Sequence, residues 1–307
     1  MYNSFFMVSQ QVFILFILIA LGVVAEKTKM INEKAVKGMT NIVLYFVTPC
    51  IIVKSFQRDL NSELVKNLGI VFCIAIIIHI IAIIIAHIGI KDEDNNRCRV
   101  LRFSVIFSNC GFMSLPLQQA LLGDDGVFYG AVYVAAFNIV AWSYGLLLMS
   151  GNRNTISLKK LIINPGILGV IVGFLFAIFS IRLPEILAQP VSYMASLNTP
   201  LPMLIIGFYL SRLDLKKIFE DAKRYWVVFL RLVVVPLISL GFMYAVGIRG
   251  DLLVVCTISA SAPVAATTTM FSSKFKRDTE LSAELVSIST LFSLITMPLI
   301  IGFAQSI

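Results

Sequence analysis

Charged residues are scarce in this chain. Only 14% of its 307 residues are Asp, Glu, Lys or Arg, whereas 58% are hydrophobic. A soluble domain of ordinary composition carries about 25% charged residues. A bilayer core of about 30 Å needs about 20 apolar residues per helix, and the chain is long and apolar enough for many such helices. The composition therefore predicts an all-α membrane protein rather than a soluble enzyme or binding domain.

Cysteine and histidine are too few and too scattered to build a metal centre. The chain has two His and five Cys, with no CxxC pair and no Cys/His spacing typical of a zinc site. We interpret the cysteines as small hydrophobic residues, and we expect neither a metal site nor a cofactor. The cysteines are Cys50, Cys73, Cys98, Cys110 and Cys256.

The motifs of ATP-driven and catalytic proteins are also missing. The sequence has no GxxxxGK[ST] loop, no HExxH or GxSxG motif, and no pair of carboxylates inside an apolar run. We therefore expect a membrane protein that neither hydrolyses ATP nor catalyses another reaction.

Ten apolar runs, separated by charged clusters, fill most of the chain. Lys and Arg gather in alternate connections between these runs, 19 against 5, and the positive-inside rule places the richer set in the cytoplasm. We expect a multi-pass protein of a bacterial plasma (inner) membrane with both termini outside. The net charge of +8 is thus a topology signal, and nucleic acid is not an expected partner. The runs are 7–25, 36–56, 67–89, 100–122, 127–149, 161–181, 190–210, 225–247, 251–273 and 281–304.

Two pairs of landmarks indicate an internal repeat. Thr48-Pro49 and Thr199-Pro200 are 151 residues apart, and Pro116 and Pro263 are 147 apart. Since each half holds five helices, an odd number, the halves would have opposite orientations in the membrane, as in many secondary transporters. We predict two inverted five-helix repeats, 1–150 and 151–307.

Polar residues interrupt the fourth and ninth runs near their middles, at SNCGFMSLP (108–116) and SASAPVAATTT (259–269). Proline breaks or kinks a helix, and bare backbone at membrane depth is tolerated only where protein buries it or it lines a cavity. Helical segments starting near Pro116 and Pro263 would point their positive N-termini at the membrane centre and favour an anion there. The alternative is a pair of ordinary proline kinks. The additional neutral ligands that we expect are Ser108, Asn109, Thr267 and Thr268.

Four stretches resemble the auxin efflux carrier family, which includes plant PIN-type auxin carriers and bacterial permeases for malate and malonate. The resemblance extends over essentially the whole chain. The stretches are SNCGFMSLPL (108–117), LNTPLPMLIIGFYL (197–210), the spacing from Arg231 to Pro236, and SAPVAATTTMFSSKF (261–275).

The resemblance implies a scaffold of helices one, two, six and seven and a moving transport unit of helices three to five and eight to ten. The substrate carboxylate would bind where helices four and nine cross. Asn109 matches the asparagine that contacts substrate in plant carriers, Pro116 and Pro263 match the crossover prolines, and Asn138 loosely matches an amide position. The connection 150–160 is short where plant carriers have a long cytoplasmic loop, so auxin itself is not the expected substrate. The full set of residues predicted to bind substrate is Ser108, Asn109, Gly111, Pro116, Asn138, Thr199, Pro263 and Thr267.

Few ionisable residues lie deep within the apolar runs, and three of them each have two possible roles. Arg231 either extends to the membrane interface or attracts an anionic substrate. His79 either packs in the interior or carries a coupling proton. Glu284 either stabilises the start of the tenth helix or takes part in ion coupling.

These observations predict a carrier that exports small organic anions, driven by the membrane potential or by secondary coupling through an elevator-like movement. We expect a homodimer. A sodium- or proton-coupled organic anion symporter, similar in architecture to the bile-acid symporters, is one alternative, and a receptor that uses the same pocket without transport is another. Neither break contains an Asp, which argues against a sodium/proton antiporter.

Overall fold

The computed structural model describes residues 2–152, 165–212 and 222–307, and within these residues the chain is helical, without a β-sheet. Tyr2–Lys27 is the first helix, α1. The others, α2 to α15 in chain order, are Glu33–Ile42, Thr48–Ser55, Ser62–Gly89, Asn95–Ile106, Leu115–Val140, Leu146–Ser150, Pro165–Ile178, Glu185–Ser196, Pro200–Leu210, Ala222–Phe229, Val235–Ala245, Gly250–Ser261, Thr267–Lys274 and Thr279–Ala304.

Four π-helical turns lie directly before an α-helix in the described chain. They are Val43–Val47, Cys110–Ser114, Ala141–Gly145 and Leu230–Val234. Three of these turns end two residues before a proline, namely Pro49, Pro116 and Pro236. A proline ring clashes with the carbonyl group four residues earlier, and in each case that carbonyl belongs to the third residue of the π turn. We infer that the wider turn accommodates the proline without ending the helix.

Seven helical stretches in the described ranges are long and apolar enough to cross a membrane. Two more apolar helices, Pro165–Ile178 and Gly250–Ser261, are shorter. A multi-pass helical membrane protein is thereby confirmed. One of the seven stretches, Cys110–Ser150, contains a non-helical residue at Gly123 (φ 62°, ψ −146°), between the predicted runs 100–122 and 127–149. Most of the connection 150–160 and the start of the run 161–181 lie outside the described residues.

The charged ends of the helices fall into two sets, and no ion pair in the described chain joins one set to the other. In the first set, Arg212 pairs with Glu26 and Glu33, and Lys223 pairs with Asp92. In the second set, Arg58 pairs with Asp125, and Arg182 pairs with Asp59. The first set comes from the connections rich in Lys and Arg, and the second from those that are poor in them.

Glycines allow close contacts among the helices assigned to the scaffold. Gly22 of α1 and Gly207 of α10 face each other, and a Cβ on Gly207 would lie 2.1 Å from the carbonyl oxygen of Ile19. Gly169 of α8 packs against the Cα of Pro49, and Gly173 packs against the ring of Phe56. These backbones therefore approach one another more closely than any larger side chain would permit.

A purely aliphatic cluster separates α1 and α10 from the helices that carry the two breaks. Its members lie on α1, α6, α10, α13 and α15, with Met113 in the π turn and Ala262 in the second break, and none has a hydrogen-bonding group in its side chain. They are Val12, Leu15, Ile19, Met113, Leu117, Met203, Ile206, Val254, Ile258, Ala262, Met297 and Ile301. Within this cluster the helices are held together by packing alone.

Candidate functional site: the crossover of two broken helices

The two breaks meet in space through a short antiparallel β-bridge between Ser108 and Val264. The N–H of Asn109 donates to the carbonyl of Pro263 at 2.7 Å, and the N–H of Ala265 donates to the carbonyl of Phe107 at 2.9 Å. The bridge therefore supplies partners for backbone groups that the interrupted helices leave unpaired. The pairing of the two stretches expected from the sequence is observed.

The first break lies at Phe107–Asn109 and contains no proline. Helix α5 ends at Ile106, and Phe107 is extended (φ −103°, ψ 116°). The chain becomes helical again at Cys110, through a π turn that runs into α6. The α-helix α6 begins at Leu115, near Pro116 as expected, but the π turn Cys110–Ser114 precedes it without a break, so the helical backbone already resumes at Cys110. Pro116 therefore lies within the helix, beyond the bridge.

The second break does contain its proline. Helix α13 ends at Ser261, Ala262 is extended (φ −61°, ψ 149°), and α14 begins at Thr267. The N–H of Val264 donates to Ser289 Oγ at 3.0 Å, which secures the non-helical segment against α15. The break expected at Pro263 is confirmed.

Four helix ends converge at the bridge. The C-termini of α5 and α13 enter it, while the π turn from Cys110 and the helix from Thr267 leave it. Neither of these two starting ends has a side-chain cap. Helix starts carry unpaired N–H groups and a partial positive charge, and helix C-termini carry unpaired carbonyls and a partial negative charge. The crossover thus combines an anion-favouring side with a cation-favouring side.

Donor groups without partners lie on the anion-favouring side. The Asn109 side chain is 5% exposed and Thr268 is 0% exposed, yet neither Asn109 Nδ2 nor Thr268 Oγ1 has a hydrogen-bond partner. Thr267 Oγ1 is likewise unpaired. A Cβ on Gly111 would meet no atom within 4 Å, so there is open space beside the start of the π turn. Buried polar groups are normally hydrogen-bonded, but these three groups have no partner within the described chain.

Arg231 occupies the cation-favouring side. Its Nη1 donates to the carbonyls of Val105 and Ile106 at 3.0 and 3.3 Å, and its Nη2 donates to the carbonyl of Ala260. The side chain is 1% exposed, so it does not extend to the membrane interface, contrary to the first of the two roles considered. The reason is that the C-terminal turns of α5 and α13 offer it carbonyl acceptors in the interior.

His79 packs beneath the crossover. Its ring lies 5.8 to 6.0 Å, centroid to centroid, from the rings of Phe107, Tyr133 and Phe137. Its Nδ1 donates to the carbonyl of Ala75 at 2.6 Å. A histidine in this setting fits the packing role, and its role in proton coupling stays a prediction.

Glu284 lies near the start of α15, 6% exposed, and pairs with Arg224 at 2.9 Å. Asn138 donates through Nδ2 to the carbonyl of Val134 in its own helix at 2.9 Å. Thr199 is the residue before α10, where its side chain makes no capping hydrogen bond. The bridge brings together the predicted residues on either side of the two breaks, whereas these three residues belong to other parts of the helices.

Two buried amides escaped the sequence analysis. Gln118, 0% exposed, donates through Nε2 to the carbonyl of Val255 at 3.0 Å and to Ser259 Oγ at 2.9 Å, and so joins α6 to α13. Asn198 is 1% exposed, and neither of its side-chain polar atoms has a partner. The available signal was the one that drew attention to Asn109, a polar residue within an apolar run that also contains a proline.

Ser108, Asn109, Pro263 and Val264 are buried in this conformation, whereas Gly111 and Thr267 are partly exposed. Three surface depressions, with volumes of about 310 to 460 Å³, have no crossover residue in their walls. In the described ranges, no group of three or more His, Cys, Asp and Glu is arranged to hold a metal ion.

Comparisons with known proteins point to one family. The model of a family described as membrane transport protein matches residues 7–157 and 152–301. The chain is also similar to an uncharacterized transporter of Methanocaldococcus jannaschii, with 24% identity over 302 residues that cover 94% of this chain and 96% of that protein. The resemblance to the auxin efflux carriers drawn from the sequence agrees with both matches.

Proposed function

The chain belongs to the membrane transport protein family, and from that premise we propose that it carries small organic anions across the membrane, with the substrate carboxylate bound at the crossover. The observation that carries this proposal is the Asn109 amide, which is buried beside the bridge with both Nδ2 hydrogens unpaired. A carboxylate accepts such hydrogen bonds, and bonds to a charged partner are stronger than neutral ones.

Charge supports an anion over a cation. Two uncapped helix starts, at Cys110 and Thr267, face the same region and together contribute about one positive charge. The stretches 107–114 and 262–269 contain no Asp or Glu that would balance a cationic substrate. The opposite helix ends are already occupied by the Arg231 guanidinium.

The grouping of the helix ends supports ten crossings in two inverted halves. Asp125, just after the turn at Gly123, pairs with Arg58, whereas Arg277 at the other set of ends donates to the carbonyls of Met149 and Ser150. On this reading the chain turns back at Gly123: residues 110–122 complete the crossing that α5 begins, and residues 124–150 make the next crossing. The antiparallel direction of the bridge also fits halves of opposite orientation.

An elevator-like movement is consistent with the contact between the two groups of helices. The aliphatic cluster around Met113, Met203 and Met297 offers no hydrogen bonds to break during sliding, and methionine adapts readily to a changed surface. The buried bridge would travel with the transport unit and reach water on either side of the scaffold.

Flux through proteoliposomes tests the proposal. Liposomes loaded with labelled malate, malonate or an aromatic carboxylate should release at least one of these anions faster than protein-free liposomes. Asn109→Asp keeps the size of the side chain but places a negative charge where the donors were, and it should abolish the release. Asn67→Asp is the matched control, because Asn67 donates to Tyr129 away from the crossover and should leave the release unchanged.

The outcomes separate the alternatives. Binding of an anion without release would favour the receptor, and uptake that requires a sodium or proton gradient would favour the symporter. If Asn109→Asp and Asn67→Asp reduced the release equally, the crossover would not be the binding site. Transport of a cation but of no anion would overturn the whole proposal.

A further inference from the structure

Arg231 has the largest fully buried side chain in the described residues, and it has no carboxylate partner among them. It lies in the π turn Leu230–Val234. Its partners are three backbone carbonyls, those of Val105 and Ile106 at one break and that of Ala260 at the other. A buried charge normally requires a charged or strongly polar partner, so these carbonyls must provide the compensation.

The charge of the two helix ends matches that of the guanidinium. The three carbonyls belong to the last turns of α5 and α13, which end at Ile106 and Ser261. Each helix C-terminus carries about half a negative charge, so the two ends together balance about one positive charge. Converging C-terminal carbonyls of broken helices are also the kind of site that binds Na⁺ in membrane transporters.

We propose that Arg231 is the resident cation of the crossover: its guanidinium fills, from within the chain, the place between the two helix ends that an alkali cation would otherwise occupy. Two consequences follow. The helix ends take up both Nη groups and balance the charge of the guanidinium, although its Nε has no hydrogen-bond partner, so this charge is not the counter-charge of the substrate. The carrier also requires no sodium at the crossover.

The same contacts make Arg231 a positioning residue for Asn109. Ile106 and Asn109 lie within one short segment of the first break, and Ala260 lies two residues before the extended Ala262 in the second. The rigid guanidinium binds carbonyls at both breaks at once, and it therefore fixes the distance between the two breaks. The proposed function supplies the transport context, but the cation site can be tested without any transport.

Chemical rescue of thermal stability is the direct test. Arg231→Ala should unfold at a lower temperature than the wild type in detergent, and millimolar guanidinium chloride should raise its Tm by roughly 3 °C or more, relative to choline chloride at the same ionic strength. The wild type should not respond. Arg249→Ala is the matched control, and guanidinium chloride should not raise its Tm. Arg249 also donates to carbonyls near a helix C-terminus, those of Tyr244 and Ile248, but it does so at the exposed surface.

Two further variants decide the matter where the alanine variant does not fold. Arg231→Lys keeps a cation, whereas Arg231→Met has similar bulk without charge. We expect the lysine variant to give the higher Tm and the higher yield of folded protein. A methionine variant that equals or exceeds the lysine variant would overturn the proposal, since replacing a buried charge by an apolar side chain is often stabilising where the charge has no role.

Sodium provides a test on the unmodified protein. The Tm of the wild type, and its anion flux at a fixed voltage, should be equal in sodium and choline chloride. A specific stabilisation by sodium, or a flux that requires it, would overturn the resident-cation inference and leave the anion carrier standing. Absence of flux in both salts would count against the proposed function, while the stability measurements would still decide the role of Arg231.

Discussion

The backbone N–H of Asn109 lies 2.7 Å from the carbonyl oxygen of Pro263 and donates to it. This hydrogen bond joins a residue from the first half of the chain to one from the second, at the point where both helices are interrupted. It also fixes the backbone of the one residue whose amide side chain is buried there without a partner.

Replacing Pro263 should impair transport more than it impairs folding. Pro263→Ala restores an N–H and removes the ring that prevents α13 from continuing, so the helix can extend into the bridge. We expect anion release to fall at least tenfold while the protein remains inserted and monodisperse. Pro116→Ala is the comparison, because Pro116 lies within the helix beyond the bridge and should have the smaller effect. Equal effects of the two variants would contradict this assignment.

Removing the Asn109 amide should weaken substrate binding. A hydrogen bond to a charged group contributes about 1.5–3 kcal/mol, so Asn109→Ala should raise the Kd of the transported anion by roughly tenfold to a hundredfold. Isothermal titration in detergent measures this effect. An unchanged affinity would show that the carboxylate binds elsewhere.

Gln118 should contribute to stability rather than to substrate recognition. Gln118→Met removes the two hydrogen bonds from Nε2 to Val255 and Ser259, and the unpaired carbonyl should cost about 1–3 kcal/mol. We expect a lower Tm than the wild type, with unchanged anion affinity in the folded fraction. Gln119→Met is the control, because the Gln119 side chain bonds only to Asp124 near the surface.

The orientation of the helix ends can be measured by cysteine labelling. In a variant without the five native cysteines, Asp124→Cys should react with a membrane-impermeant maleimide in intact cells, whereas Asn95→Cys and Asn152→Cys should react only after lysis. The reverse pattern would contradict the orientation predicted from Lys and Arg, though not the crossover itself.

Voltage should drive release of the anion. At an inside-negative potential, moving one negative charge outward gains about 2.3 kcal/mol per 100 mV. Release from proteoliposomes clamped with potassium and valinomycin should therefore accelerate as the interior becomes more negative. A rate that does not depend on voltage would indicate an electroneutral, coupled mechanism.

The sequence predicted the crossover better than its details. The polar interruptions of two apolar runs identified both breaks. Unpaired backbone groups are costly inside a membrane, so polar and helix-breaking residues within an apolar run indicate where the helix is interrupted. The first break lies at the start of the predicted stretch 108–116, and the helical backbone resumes at Cys110 rather than at Pro116, because a π turn accommodates the proline. Nothing in the local sequence distinguishes these two outcomes.

Sequence patterns did not predict which residues on different helices bind each other. Arg231 was expected to extend to the interface or to attract substrate, since the carbonyls that receive it come from two distant segments. The pairing of Glu284 with Arg224 is likewise a product of tertiary packing. Residue type and depth were predictable, whereas the partner that decides the role was not.

The π turn Leu230–Val234 also affects how Arg224 and Arg231 are oriented relative to each other along their helix. A π turn holds one residue more than the α-helical turn it replaces, and each residue of an α-helix rotates the side-chain direction by about 100°. Arg231 lies within this turn, and Arg224 lies in the regular helix before it. Deleting Leu230, the turn residue between the two arginines, would keep both guanidinium groups, yet it would rotate Arg224 by about 100° relative to Arg231 and away from Glu284. In this helix the number of residues between two arginines matters as much as the arginines themselves.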